Sequence, residues 1–327
     1  MSEFEFITRI TKRLSRTAND RRDARGEVAE KASADFVDVG PGDDAAVIRA
    51  PGGRVVATSD LLIEGRHFRR DWSGPYDVGR KAAAQNLADV VAMGARPTAL
   101  LIGFGVPAET EPGRAAPEWA QREWAEWLYD GLRDECDLVG AVVAGGDVVR
   151  APMVILAVTA LGDLAGRAPL LRSGARTGDV VAVRGRLGFA AAGVDLLSRG
   201  RDGPAILVEA HRRPRPPYAA GDEAARLGAT ALIDVSDGLV QDLGHIAAAS
   251  GVRIDLDDAA LPIAAELGAA GRTLVLTGGD DHAFAGTFPR ETALPETWCA
   301  IGHVVAGEGV TIDGRPHGLT GWDHFRQ

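Results

Sequence analysis

Seven aspartates of this chain stand in short segments flanked by glycine or hydroxyl residues, most of them just after an apolar run: Gly42-Asp43-Asp44, Thr58-Ser59-Asp60, Asp89, Gly145-Gly146-Asp147 and Asp234-Val235-Ser236-Asp237. Brought together by a fold, they repel. Two carboxylates about 4 Å apart at an effective dielectric of about 20 cost roughly 4 kcal/mol. Such a set must bind cations or protonate, and oxygen-only ligands select hard ions, Mg²⁺ above all. Magnesium in enzymes commonly arrives with phosphate. The chemistry implied is Mg²⁺-dependent handling of a phosphate compound.

Each segment also has a plainer reading. Asp43 and Asp44 after Gly40-Pro41-Gly42 suit a β-turn. Paired glycines before Asp147 let backbone approach a ligand closely. Lys81, Gln85 and Asp89 follow at i, i+4 and i+8 and share one face of a helix rich in alanine. A carboxylate there needs a partner, either Lys81 in an ion pair or a metal. Ser236 and Asp237 precede a helix that either can N-cap, while Asp234 at the strand end is not explained by capping. A helix N-terminus also welcomes phosphate.

The elements that must position these residues are legible from periodicity. Helices are expected over residues 4–19, 76–93, 118–138, 188–198, 221–227 and 237–249, with a loop over 20–35. Strands are expected over 45–48, 54–58, 99–106, 142–144, 153–161, 179–183, 231–235, 253–256 and 284–288. A Gly-, Arg- and Pro-dense stretch at 162–178 divides the chain into domains 1–163 and 164–327. Helices alternate with strands in both halves, which predicts an α/β (α+β) sandwich fold.

Length and composition agree with two soluble domains: 327 residues, 46% hydrophobic and 25% charged. A net charge of −10 argues against nucleic acid as partner. Cys136 and Cys299 form no C-x-x-C pair, so neither zinc nor a disulfide framework is expected. The start, Met1-Ser2-Glu3-Phe4, has no signal-peptide character, and no apolar run approaches a membrane span. A cytoplasmic protein is expected. No G-x-x-x-x-G-K-[ST] and no post-strand G-x-G-x-x-G occurs, which excludes a P-loop kinase and a dinucleotide fold.

Taken together, several segments resemble thiamine-monophosphate kinase. They are Gly40-Pro41-Gly42-Asp43-Asp44-Ala45-Ala46, Thr58-Ser59-Asp60 through Gly65-Arg66-His67-Phe68, Lys81 through Pro97, Gly145-Gly146-Asp147, Arg172 through Asp179, Ile233 through Leu239, and Gly321-Trp322-Asp323-His324-Phe325. They occur in family order over nearly the whole chain. The resemblance implies an aminoimidazole ribonucleotide synthetase-like fold of two domains, and a homodimer built through the N-terminal domains, which also carry the ATP site. It implies ATP and thiamine phosphate as substrates, and several Mg²⁺ ions. By carry-over, Asp44, Thr58, Ser59, Asp60, Asp89, Asp147, Asp234 and Asp237 would sit on Mg²⁺. Gly146, Asp147, Arg172 and Ser236 would contact ATP, and His67 the thiamine phosphate. No covalent protein nucleophile is implied.

Two segments depart from the pattern. The family's Gly-Gly-Glu-Asp-Tyr-Glu is here Gly278-Gly279-Asp280-Asp281-His282-Ala283, so Asp280 replaces a substrate-contacting glutamate with a side chain one methylene shorter. Leu319 falls where the family places an aromatic on thiamine, and Trp322 lies close enough in sequence to substitute. Among relatives, selenophosphate synthetase needs a reactive cysteine or selenocysteine near the N-terminus, and none precedes Cys136. The hydrogenase-maturation dehydratase ends in cysteine, whereas this chain ends in Gln327. An aminoimidazole ribonucleotide synthetase-like enzyme, or a non-catalytic nucleotide sensor on the same fold, remains the alternative. A calcium loop of the D-x-[DN]-x-[DN]-G type is missing.

Overall fold

The computed structural model describes residues 36–39, 47–107 and 118–322. The expected opening helix, the loop after it, Asp43, Asp44 and the His324-Phe325 ending lie outside the described residues. The chain divides into two compact units, Met1–Leu87 with Pro97–Gly166, and Ala88–Arg96 with Arg167–Gln327.

In the first unit β1 (Val37–Val39) pairs with β2 (Val47–Ile48). Then follow β3 (Val55–Ile63), α1 (Pro75–Ala92), β4 (Arg96–Pro107), α2 (Glu118–Asp137), β5 (Val142–Ala151) and β6 (Ile155–Asp163). Proline at the first position of α1 needs no N–H partner, and Asp77 accepts from the Gly74 N–H at 3.2 Å. The helix stops at Gly94, whose φ of 71° carries the chain out of the helix. α1 and α2 approach closely through glycine on each: a Cβ at Gly79 would overlap the Leu128 carbonyl, and one at Gly131 the Tyr76 carbonyl.

The strands form a four-stranded sheet ordered β3-β6-β4-β5. β3 and β6 pair antiparallel over nine residues, and β4 and β5 run parallel. Strand alternation gives this sheet two faces. One buries Leu62, Leu100, Ile102, Phe104, Leu156 and Val158, each worth about 1.5–3 kcal/mol on leaving water. The other leaves Val55, Leu61 and Val149 about half exposed.

The second unit contains β7 (Val180–Arg184), α3 (Phe189–Ser198), α4 (Ala205–Arg212), α5 (Ala219–Arg226), β8 (Ala231–Val235), α6 (Leu239–Ser250) and β9 (Arg253–Leu256). It continues with α7 (Gly271–Thr277), β10 (Ala283–Phe288), β11 (Cys299–Val305), β12 (Gly309–Ile312) and β13 (Arg315–Pro316). Its seven-stranded sheet runs β13-β12-β9-β11-β7-β10-β8. The one parallel pair among those assigned is β12 with β9. The core against β7, β8 and β10 joins Ala182, Leu232, Phe284 and Phe288 to Ala220, Ala224 and Trp298, with Ala88, Val91 and Ala92 from the end of α1.

Most expected elements are present, with different bounds. Strand β5 runs seven residues past the expected 142–144, because β4 pairs with it through Ala151. Among the elements not anticipated are α4 and β11. The first is only eight residues long, and the second is interrupted by a register shift between Ala300 and Gly302. No described helix is long and apolar enough to cross a membrane.

Candidate active site

In the first unit the candidate residues lie on the outer strands of the sheet. Thr58, Ser59 and Asp60 are in the middle of β3, and Gly146 and Asp147 in the middle of β5. Neither aspartate closes its strand, contrary to the sequence expectation, because each strand continues to pair beyond it. Alternation separates the β3 set: Thr58 and Asp60 point to one face and Ser59 to the other. Ser59 meets Thr159 hydroxyl to hydroxyl at 3.1 Å. Asp60 Oδ2 accepts from Gln85 Nε2 at 3.0 Å, so α1 orients this carboxylate. Lys81, one turn before Gln85, is buried, and Asp89, one turn after it, is half-buried.

Gly146 is required by packing. Its φ is 153°, and a Cβ there would overlap the Ile102 carbonyl oxygen of β4. The close approach expected of the paired glycines is thus made first to the neighbouring strand. Asp147 is exposed and accepts the adjacent Val148 N–H at 2.8 Å.

The loop Glu64–Phe68 follows β3. The Ile63 N–H donates to His67 Nδ1 at 3.0 Å, and the His67 N–H donates to the Ile63 carbonyl at 3.0 Å. An accepting Nδ1 carries no proton, which places the imidazole proton on Nε2. Glu64 anchors the same loop, accepting the Val154 N–H at 3.0 Å and pairing with Arg70 at 2.6 Å.

In the second unit Asp234 is the last residue but one of β8, and the turn Ser236-Asp237-Gly238 leads into α6. Neither Ser236 nor Asp237 caps that helix. The N-cap position is Gly238, with no side-chain cap. Asp242, in the first turn of α6, reaches back instead. Its Oδ2 accepts the N–H groups of Ser236, Asp237 and Gly238 at 3.1, 3.1 and 3.0 Å. Burial, with Asp234 nearby, pushes Asp242 up to about 7 against those backbone donors. Asp242 was not singled out from sequence; the signal available was an acidic residue four positions after a glycine N-cap.

The segment Gly278–His282 lies along this turn. The Asp280 N–H donates to the Ser236 carbonyl at 2.8 Å and the His282 N–H to the Val235 carbonyl at 3.1 Å. A Cβ at Gly279 would overlap the Ser236 oxygen. Asp281 is buried and accepts from Gly188 N at 2.5 Å and Ala190 N at 2.9 Å, which fixes the segment to the start of α3. Burial pushes Asp281 up to about 7, against the pull of those two donors. His282 Nδ1 stands 3.1 Å from Asp234 Oδ2, and its Nε2 3.7 Å from Asp280 Oδ1. Burial disfavours the charged ring, yet the two carboxylates outweigh it and raise His282 to about 10.

Arg172 lies exposed on a short 3-10 turn, Arg172–Gly174, held where Ser250 Oγ donates to the Arg172 carbonyl at 2.8 Å. Leu319 is half-buried beside His317. Trp322 is 51% exposed, and its N–H donates to the Asp237 carbonyl at 2.8 Å while its own carbonyl accepts from Gln241 Nε2. Trp322 is thereby seated on the Asp237 turn, which Leu319 does not contact through any hydrogen bond assigned to it.

The donor set suits magnesium by type. Thr58, Ser59, Asp60, Asp147, Asp234 and Asp237 offer only oxygen. Among the described residues no three His, Cys, Asp or Glu side chains gather into a metal-holding group. Mg²⁺ takes one or two carboxylates and completes its shell with water and substrate phosphate, a demand that single and paired aspartates meet.

Residues 42–164 match the family model described as AIR synthase related protein, N-terminal domain. The chain is 48% identical over 297 residues to thiamine-monophosphate kinase of Mycobacterium tuberculosis (strain ATCC 25618 / H37Rv), covering 88% of this chain and 86% of that protein. The crystal structure of thiamine-monophosphate kinase from Stenotrophomonas maltophilia K279a superposes with a TM-score of 0.77 at 32% identity, covering 97% of this chain and 98% of that one. A structure of AaThiL complexed with AMPPCP and TMP superposes with a TM-score of 0.74 at 33% identity, covering 86% and 91% of the two chains.

Proposed function

The chain belongs to the thiamine-monophosphate kinase family, and we propose that it phosphorylates thiamine phosphate with ATP, giving ADP and thiamine diphosphate. The observation that carries this reading is the Ser236–Gly238 turn. Held on three N–H groups by Asp242, it carries Ser236 and Asp237 directly after Asp234 and ahead of α6, an order of oxygen donors suited to magnesium and phosphate. A relative of this fold has been solved with an ATP analogue and thiamine phosphate together.

Attack of one phosphate on another brings two polyanions together, so positioning and charge neutralisation are nearly the whole of the catalysis. Asp44, Thr58, Ser59, Asp60, Asp89, Asp147, Asp234 and Asp237 would hold Mg²⁺, which would supply that neutralisation when bound. Gln85 holds Asp60 in place for it. Gly146, Asp147, Arg172 and Ser236 bind ATP. His67, with its proton on Nε2, donates to the phosphate of thiamine phosphate, and Asp280 faces the rest of that substrate. Trp322, seated on the Asp237 turn, offers the aromatic surface that Leu319 lacks. The phosphate oxygen of thiamine phosphate attacks the γ-phosphorus directly, the bond to the β–γ bridging oxygen breaks, and no phosphoenzyme forms.

The half-exposed apolar face of the first unit (Val55, Leu61, Val149) supports a homodimer formed through that unit. A monomer would leave these side chains in water. The cytoplasm, where ATP is available, is the compartment we assign. Turnover of ATP made chiral at the γ-phosphorus tests the transfer step. Inversion is expected; retention, or a trapped phosphoprotein, overturns direct transfer.

A further inference from the structure

Asp280 is held in a way that neither strand pairing nor packing requires. Its φ is 69°, and that of His282 two residues on is 51°, both in the left-handed region that non-glycine residues enter at a cost. Two imidazoles stand beside its carboxylate. His211 Nδ1, from α4, lies 3.4 Å from Oδ2, and His282 Nε2 lies 3.7 Å from Oδ1. The histidine side chains are only 4% and 2% exposed, whereas that of Asp280 is 32% exposed. An ion pair serving only to fill the interior would bury its carboxylate as well. This one keeps its two imidazoles beneath the surface and its oxygens at it.

His282 is further tied by Nδ1 to Asp234, so one ring spans the end of β8 and the Asp280 turn. The backbone is equally constrained. Asp280 and His282 donate to Ser236 and Val235, and Asp281 is anchored at the start of α3. A short aspartate has few ways to present its oxygens, and here both are directed by a ring.

We infer that His211 and His282 are positioning residues that hold the Asp280 carboxylate toward the cationic or amine-bearing part of thiamine phosphate. The inference rests on the kinase reading and deepens it. Asp280 recognises the substrate, and the two histidines act through Asp280 alone.

Isosteric substitutions separate the two nitrogens of His282. Asparagine places an amide near the Nδ1 position, toward Asp234, and glutamine places one near Nε2, toward Asp280. With the full chain, His282→Asn is expected to raise the KM for thiamine phosphate about tenfold, because Asp280 loses the ring that stands 3.7 Å from its Oδ1 and its carboxylate is no longer held in position, while the KM for ATP stays within about twofold. His282→Gln is expected to recover most of the thiamine-phosphate KM. Asp280→Asn should raise the same constant, and His282→Asn or His211→Leu added to it should change nothing further. Equal changes in both KM values, or additive effects in the double variants, overturn the inference.

A second readout does not depend on turnover. Nitrogen NMR of the imidazoles should show His211 Nδ1–H and His282 Nε2–H, with both resonances displaced in Asp280→Asn. Resonances unmoved by that substitution refute the clamp whatever the kinetics show. Displaced resonances in a protein that does not turn over thiamine phosphate would uphold the clamp and reject the kinase reading.

Discussion

Replacing Asp242 by alanine should damage both stability and turnover, although Asp242 is assigned no contact with substrate. One carboxylate oxygen accepts three backbone N–H groups at 3.0 to 3.1 Å, and the residue is 2% exposed. A buried donor stripped of its acceptor costs about 1–3 kcal/mol. Gly238 is buried and bears that cost in full, while Ser236 and Asp237 are half-buried and recover part of theirs from water. The expected loss is about 3 kcal/mol. Asp242→Asn keeps one acceptor oxygen and should lose about 1 kcal/mol. Urea unfolding reads both as shifts in midpoint at constant slope. Because the same donors shape the turn that carries Asp234, Ser236 and Asp237, the alanine variant should also lose at least about tenfold in kcat/KM. A midpoint within about 0.5 kcal/mol of the parent, or unchanged turnover in a destabilised protein, would refute the clamp.

Further outcomes follow from other contacts. Gly146→Ala must push β4 and β5 apart at Ile102, and a loss of about 3 kcal/mol should appear in thermal unfolding; an unchanged Tm contradicts the packing. Gln85→Leu removes the donor to Asp60 and should weaken Mg²⁺ activation about tenfold, read as a rightward shift of the magnesium dependence with ATP saturating. Leu61→Arg on the open sheet face should yield monomers in sedimentation, and a dimer unaffected by it would place the interface elsewhere. For Asp281, burial raises the folded carboxyl to about 7 from its ordinary 3.8. The folded state therefore holds the proton more tightly than the unfolded one. That contribution is complete below about pH 4 and disappears as pH rises through about 7. The stability of the parent relative to Asp281→Asn should fall over that window by a few kcal/mol, and a flat difference between the two proteins refutes it.

The division of legibility between sequence and structure follows the range of the forces involved. The helices at 76–93 and 118–138 and the strand at 231–235 are set by local apolar periodicity, and they stand within a residue or two of where that pattern puts them. The aspartates were visible as types and spacings. Their surroundings were not, because those depend on pairing distant in sequence. Asp60 and Asp147 lie within strands because β6 and β4 pair past them. The hold of Asp242 on the turn before α6, where Ser236 or Asp237 is expected to cap the helix, depends on a side chain turning back over three residues. The Asp280 cradle needs α4, a helix the sequence pattern did not reveal, to deliver His211. Trp322 takes its place through a backbone hydrogen bond to Asp237, a contact across more than eighty residues that local sequence does not encode.

The central claim is tested most directly by ADP release from Mg-ATP with and without thiamine phosphate, in the parent and in Asp147→Asn. Release that requires thiamine phosphate, matched by thiamine diphosphate formed and abolished in the variant, is the predicted result. ATP bound but not consumed when thiamine phosphate is added would contradict the account, as would full activity in Asp147→Asn.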